Sequence, residues 1–251
     1  MKKLFLILAV LAICATTASA QKLRVMSYNV KNGYGMDGIK SIERCGEVVR
    51  KVQPDVVAVQ ELDSCTRRNK FYVLGKMAEA AGGYHSYFGP TIPHGGGKYG
   101  IGVLSKEKAL SVEFFPLPCR KEPRGLLVVE FKKYYMLCTH LSLNEEDRVT
   151  SVGIIRDVVS KLKNKPVFIA GDMNAHPTSK PIMAFKEFCE VLSNENKFTI
   201  PSTDPRSCID FIFGTNGAFS VLKESVIFDC IYSDHLPIWV DVKIGKAKNK
   251  K

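Results

Sequence analysis

Strand-length apolar runs that lead to a polar residue able to bind a metal or move a proton restrict the fold of this chain more than any other feature. Val56-Val57-Ala58-Val59-Gln60 is nearly continuous in its apolar character and reaches Glu61. A run of this kind reads as a strand covered on both faces. Asn29 lies near the end of the run Leu23 to Val30, His140 follows Tyr134 to Thr139, and Asp172 and Asn174 follow Val167 to Ala170. Asp210 sits early in Cys208 to Phe213, and Asp234-His235 precede Leu236 to Ile244. An isolated Asp after a strand is ordinarily a turn former, and a lone His near an apolar run is ordinarily structural. Repetition asks for another cause, and strand ends along one edge of a sheet sandwich converge in space.

The remaining pattern alternates strands with helices. Ile39, Ile42, Val48, Val49 and Val52 recur at helical spacing before the exit at Pro54, and Phe71 to Ala81 reads as a helix stopped by Gly82-Gly83. Tyr99 to Leu104 is a predicted strand behind the glycines Gly95-Gly96-Gly97, and Leu126 to Phe131 forms a hairpin with Tyr134 to Thr139. Asn144 is a predicted cap for a helix carrying Val149, Val152, Ile155, Val159 and Leu162 on one side, and a shorter helix is expected over Pro181 to Cys189. A further strand is expected over Val221 to Phe228. Helices both between and outside the strands predict an α/β fold of two packed sheets flanked by helices.

The polar residues suit one kind of reaction. A hard cation such as Mg²⁺ takes oxygen ligands, and Glu61 with Asn29 offers a carboxylate and an amide. Such an ion polarises a phosphoryl oxygen and stabilises the charge that builds up on attack. Asp172 and Asn174, one residue apart, would face the same side of an extended segment. His235 needs a carboxylate to fix its tautomer, a role open to Asp210 or Asp234.

Composition places limits around this reading. The start Met1-Lys2-Lys3, the apolar run Leu4 to Ile13 and the end Ala18-Ser19-Ala20 have the form of a cleavable signal peptide over residues 1–20, with the mature chain expected from Gln21. The run is too short for a membrane span, and the bulky Ile13 before Cys14 disfavours a lipoprotein. A secreted or periplasmic protein is therefore expected. Of the net charge of +11, two units belong to the leader and five to lysines between Lys243 and Lys251, which leaves +4 for the body. One catalytic domain over 21–245 with a Lys-rich tail at 246–251 is expected, since no Gly/Ser/Pro-rich linker or repeat divides the chain. The seven cysteines outside the leader include no C-x-x-C pair, which disfavours zinc and favours packed thiols over a disulfide framework.

At its functional blocks the chain resembles the endonuclease/exonuclease/phosphatase superfamily of DNase I-like enzymes. The blocks are Met26-Ser27-Tyr28-Asn29, Val59-Gln60-Glu61, Tyr99 to Ser105, Thr139-His140-Leu141, Gly171-Asp172-Met173-Asn174, Ile209 to Ile212 and Ser233 to Pro237. The resemblance implies a four-layer α/β/β/α sandwich with two mixed sheets. It implies Glu61 as a metal ligand with Asn29 and Asp234 near the metal or phosphate, and Asp172 and Asn174 positioning the attacking water. Asp210 would pair with His235, and the histidine at His140 argues against the abasic-repair branch. Arg124 falls where relatives hold the scissile phosphate, against the plainer reading of a surface arginine opening a strand. Tyr99 is the other expected substrate contact, in a loop able to close over a phosphate, against a plain packing role. His85, His94 and His176 match no block.

The function expected is Mg²⁺-dependent hydrolysis of a phosphoester, with Mn²⁺ as a substitute and phosphodiesters favoured. The alternatives are a phosphomonoesterase on sugar or inositol phosphates and a non-catalytic binding module of the same fold. The partner expected is a phosphate ester of nucleic-acid, phospholipid-headgroup or sugar-phosphate type, acted on by a monomer. A nucleic-acid enzyme should carry a basic groove, and basic residues near the blocks gather only at Arg67-Arg68. A sphingomyelinase-like enzyme should carry an exposed apolar hairpin, and no aromatic run announces one.

Overall fold

The computed structural model describes residues 22–245. The expected leader 1–20, the start at Gln21 and the tail 246–251 lie outside the described residues. In chain order the elements are β1 (Lys22–Asn29), a 3-10 turn (Lys31–Gly33), α1 (Ile42–Val52), β2 (Val56–Ser64), α2 (Val73–Ala80), β3 (His85–His94) and β4 (Gly97–Ser105). There follow β5 (Ser111–Leu117), β6 (Arg124–Glu130), β7 (Tyr135–His140), α3 (Glu145–Lys161), β8 (Val167–Asp172), α4 (Lys180–Lys186) and β9 (Cys189–Val191). The chain ends on β10 (Asp210–Thr215), β11 (Phe219–Val226) and β12 (Ile238–Ile244).

The strands form two six-stranded mixed sheets, ordered β11-β12-β1-β2-β4-β3 and β5-β6-β7-β8-β10-β9. Each is built around a parallel pair, β1 with β2 and β7 with β8, flanked by antiparallel partners. Successive side chains of the second sheet serve different cores. Met136, Cys138, Phe168, Ala170 and Ile212 join the cluster that holds the first sheet, whereas Tyr135, Leu137, Val167, Ile169, Phe211 and Phe213 join the cluster under α3 and α4. Strands apolar on both faces read as unbroken runs, which is why the sequence shows so little alternation. The result is the four-layer α/β/β/α sandwich expected.

The helices follow their apolar spacing. Ile42, Cys45, Val48 and Val49 bury one side of α1, so the helix begins at Ile42, past the expected Ile39, which is 56% exposed. Asn144 caps α3 by accepting hydrogen bonds from the Glu146 and Asp147 amides, and three acidic residues fill the first turn. Val152, Ile155 and Val158 carry its burial, while Val149 is exposed. The helix expected to reach Cys189 stops at Lys186, because Cys189 pairs with Thr215 as the start of β9.

Strands β3, β5 and β9 escaped the sequence pattern. All three lie at sheet edges, where prolines such as Pro90, Pro93 and Pro116 are tolerated and strand signals are weakest. The glycine cluster is the turn between β3 and β4. His94 pairs with Gly97, and Gly95 and Gly96 both take positive φ, as a two-residue hairpin turn of right-handed twist requires. No separate loop carries Tyr99, which lies within β4.

Candidate active site

The two sheets deliver the expected residues to one end of their interface. From the first come Asn29 as the last residue of β1, Glu61 in β2, Tyr99 in β4 and Asp234-His235 ahead of β12. From the second come Arg124 opening β6, His140 closing β7, Asp172 closing β8 and Asp210 opening β10. Register sets the last three side by side, because Asp172 pairs with His140 on one flank and Asp210 on the other. Asn29, His140, Asp172, Asp210 and His235 are at most 6% exposed.

Glu61 does not end its strand as expected. β2 runs on to Ser64 through a bulge between Val59 and Leu62, and Glu61 takes φ 62°. A bulge re-aims one side chain without ending the pairing, and here it turns Glu61 to Asn29, whose Nδ2 donates to Glu61 Oε1 at 3.0 Å and to Asp172 Oδ2 at 3.1 Å. The Asn29 Oδ1 accepts from the Lys31 amide, and the Ser233 hydroxyl donates to the Asn29 carbonyl oxygen at 2.7 Å, tying the ends of β1 and the 233–235 segment together.

Asp172 is the hub. Its Oδ2 lies 3.4 Å from His140 Nε2 and 3.6 Å from His235 Nε2. His235 Nδ1 is bonded to Asp210 Oδ2 at 2.9 Å, so of the two carboxylates open to it, Asp210 is its partner. Asp234 instead pairs with Lys31 at 2.9 Å. Burial disfavours a charged His235, but the carboxylates of Asp210 and Asp172 outweigh it and lift the imidazole to about 10. His140 responds in the opposite sense. Burial, helped by the cations of Arg124 and His235 and opposed by Asp172, drives it down to about 4. Its Nδ1 accepts from Arg124 Nη1 at 3.3 Å.

Asn174 departs from the extended geometry expected of it. It takes φ 47°, its amide N–H donates to Asp172 Oδ1 at 2.8 Å, and its Nδ2 donates to the Leu141 carbonyl. It therefore fixes the Asp172 carboxylate rather than standing beside it. Arg124 is no surface residue, being 9% exposed and held between Glu122 at 2.7 Å and His140. The Tyr99 hydroxyl sits beside Glu61, and burial together with Glu61 and Glu122 keeps it protonated. Lys31 and Glu122 were not foreseen, and Ser233 stood in its block without a role, since nothing in a sequence separates a lysine in a turn or the bond of a loop serine from their many counterparts.

The donor set fits a hard cation. Burial, with the charges of Asp172 and Asp234, raises the Glu61 pKa despite the Asn29 hydrogen bond, and a nearby cation would relieve that repulsion. Asp172, Asp210 and His235 also have ligating atoms within 4.8 Å of one another. That triad is the poorer cradle, because His235 is committed to Asp210 and a protonated ring is no ligand.

The surroundings bear on substrate. Arg68 is paired with the buried Asp63 at 2.7 Å and lies over the Tyr99 ring at 5.5 Å, so it is not a free phosphate-tracking cation. Beside the 3-10 turn, Tyr34, Met36 and Ile39 are 47%, 40% and 56% exposed, an apolar rim that the sequence did not announce. His85 and His176 are exposed, and His94 packs against Tyr99, all outside the cluster. Among the described residues no helix is long and apolar enough to cross a membrane.

Solved structures share this architecture. An endonuclease/exonuclease/phosphatase from Beutenbergia cavernae DSM 12333 aligns at TM-score 0.76 and 26% identity over 89% of this chain and 72% of its own. The mannosyl-6-phosphatase of Bacteroides thetaiotaomicron VPI-5482 aligns at 0.70 and 20%, covering 88% of this chain and 99% of its own. The human Nocturnin catalytic domain aligns at 0.68 and 18%, covering 89% and 94%. No curated protein gives a significant match in sequence. The family profile spans residues 26–235, the same stretch of chain that carries the cluster from Asn29 to His235, and the protein belongs to the Endonuclease/Exonuclease/phosphatase family.

Proposed function

We propose that the protein is a divalent-metal-dependent phosphoester hydrolase exported from the cytoplasm. The observation that carries the reading is the buried series Arg124, His140, Asp172 and Asp210 of one sheet meeting Asn29, Glu61 and His235 of the other across their interface. Mg²⁺, or Mn²⁺ in its place, would be held by Glu61 with Asn29 and Asp234, and would supply positive charge against the phosphoryl oxygens.

The protein's own groups do the rest. Asp172, its carboxylate steadied by Asn29 and Asn174, takes a proton from the attacking water as the water oxygen bonds to phosphorus. The phosphorus–oxygen bond to the leaving group breaks as its oxygen takes a proton from solvent, and Asp172 returns its own proton to solvent to close the cycle. His235, kept as an imidazolium by Asp210, is an acid rather than a base near neutrality and stabilises charge on the phosphoryl group. Neutral His140 and Arg124 hold the opposite side of the phosphate.

Turnover of bis-p-nitrophenyl phosphate and p-nitrophenyl phosphate with Mg²⁺ or Mn²⁺, abolished by EDTA, is the expected result. A diester preference appears as faster release from the first compound. No metal-dependent turnover of either, or of DNA, would favour a binding module.

A further inference from the structure

A cavity of about 410 Å³ opens beside the catalytic cluster, between the 118–123 connection and the first turn of α3. Arg124 and Glu122 line it, and both lie close enough to Tyr99 to act on its charge, so the cavity and the phosphate end of the site share one wall. The Arg124 side chain is 9% exposed, yet its Nε has no hydrogen-bond partner. A buried guanidinium N–H left unpaired at the wall of a cavity calls for an acceptor. The volume falls in the range of small-molecule sites and is ample for one monosaccharide.

The lining is mostly apolar, made of Leu143, Cys119 and the aliphatic stems of its basic residues, with a few polar ends set among them, a mixture that suits the C–H faces and hydroxyls of a sugar. Arg120 is paired with Glu146 and Asp147, and Arg124 with Glu122 and His140, which leaves Lys121, the Arg124 Nε and the side chains of Ser142 and Asn144 as the polar groups nearest the space. No aromatic residue lines the cavity, so it offers nothing for a nucleobase to stack on. Leu143 is 73% exposed at its edge. Lys121 is exposed and has no acidic partner among the described ion pairs.

We infer that this cavity receives the polyhydroxylated alcohol portion of the substrate, making the enzyme a hydrolase of small sugar phosphates. The inference rests on the phosphoester-hydrolase reading and assigns that site its substrate class. The phosphate sits at His140 and Arg124, and the sugar hydroxyls bond to the side chains beyond them.

The test measures kcat/KM for hexose 6-phosphates and for p-nitrophenyl phosphate on the same preparations of wild type, Lys121→Ala and Leu143→Trp. Because both rates come from one preparation, lost folded protein cancels in their ratio. Wild type is expected to favour the sugar phosphate, and each variant to lower the ratio about tenfold through KM. Titration calorimetry with glucose 6-phosphate, expected to show binding that Leu143→Trp weakens, separates the two readings. Binding of this kind without turnover of any ester keeps the cavity and removes the hydrolase. Turnover of p-nitrophenyl phosphate with a ratio that neither variant moves overturns the cavity assignment. So does faster hydrolysis of AMP or of phosphatidylcholine vesicles, the latter pointing to the Tyr34 rim. Neither binding nor turnover overturns both.

Discussion

His140 and His235 stand on either side of one carboxylate, and their surroundings drive them in opposite directions. His235 is lifted to about 10, above its ordinary 6.5, so it adds stability fully present below pH 6.5 and lost as pH rises through about 10. The same proton matters to turnover, and kcat/KM is expected to fall on the alkaline side near pH 10, a limb that His235→Ala removes from its residual rate. His140 is held down at about 4, so the stability it contributes above pH 6.5 is lost as pH falls from there through about 4. Urea titrations across that window should show a shallower acid loss in His140→Asn than in wild type. Asp172→Asn is expected to lower kcat about 10²-fold or more with the fold intact, whereas Glu61→Gln should chiefly raise the Mg²⁺ concentration for half-maximal rate. Wild-type kinetics in both would remove the proposed division of labour.

The elements show what the sequence made legible and what it hid. Central strands were readable because they are apolar on both faces, and the site residues at their ends were readable because polar types recur there. Edge strands β3 and β5 were hidden by their prolines, and β9 by its three-residue length. The identity of Glu61 was legible, but not the bulge that aims it, since one inserted residue leaves the apolar pattern intact. Asn174 was legible as a member of the site, but its left-handed backbone and bond to Leu141 depend on a neighbouring strand. Gly171 marks a close approach that only the packed sheet reveals: a Cβ there would overlap the Thr139 carbonyl oxygen of β7. Gly171→Ala should therefore separate β7 from β8 where His140 meets Asp172, costing about 1–3 kcal/mol in urea unfolding together with a loss of kcat. An alanine variant as stable and active as wild type would show that the strands can part there without consequence.

Across the whole molecule the two sheets follow one plan, a central parallel pair with an antiparallel neighbour on each side. On that plan Asn29 of β1 corresponds to His140 of β7, Glu61 of β2 to Asp172 of β8, and Tyr99 of β4 to Asp210 of β10. Each sheet alone holds an incomplete set. The Asn29 to Asp172 hydrogen bond and the His235 to Asp210 pair cross between the sheets, so they report directly on docking. In low urea, turnover is expected to disappear before far-UV ellipticity does, because a small parting of the sheets breaks these bonds while each ladder survives. Coincident loss of both signals would mean that the sheets part only on unfolding. The protein can thus be viewed as two half-catalysts set face to face, with hydrolysis belonging to neither and arising only where their seam is closed.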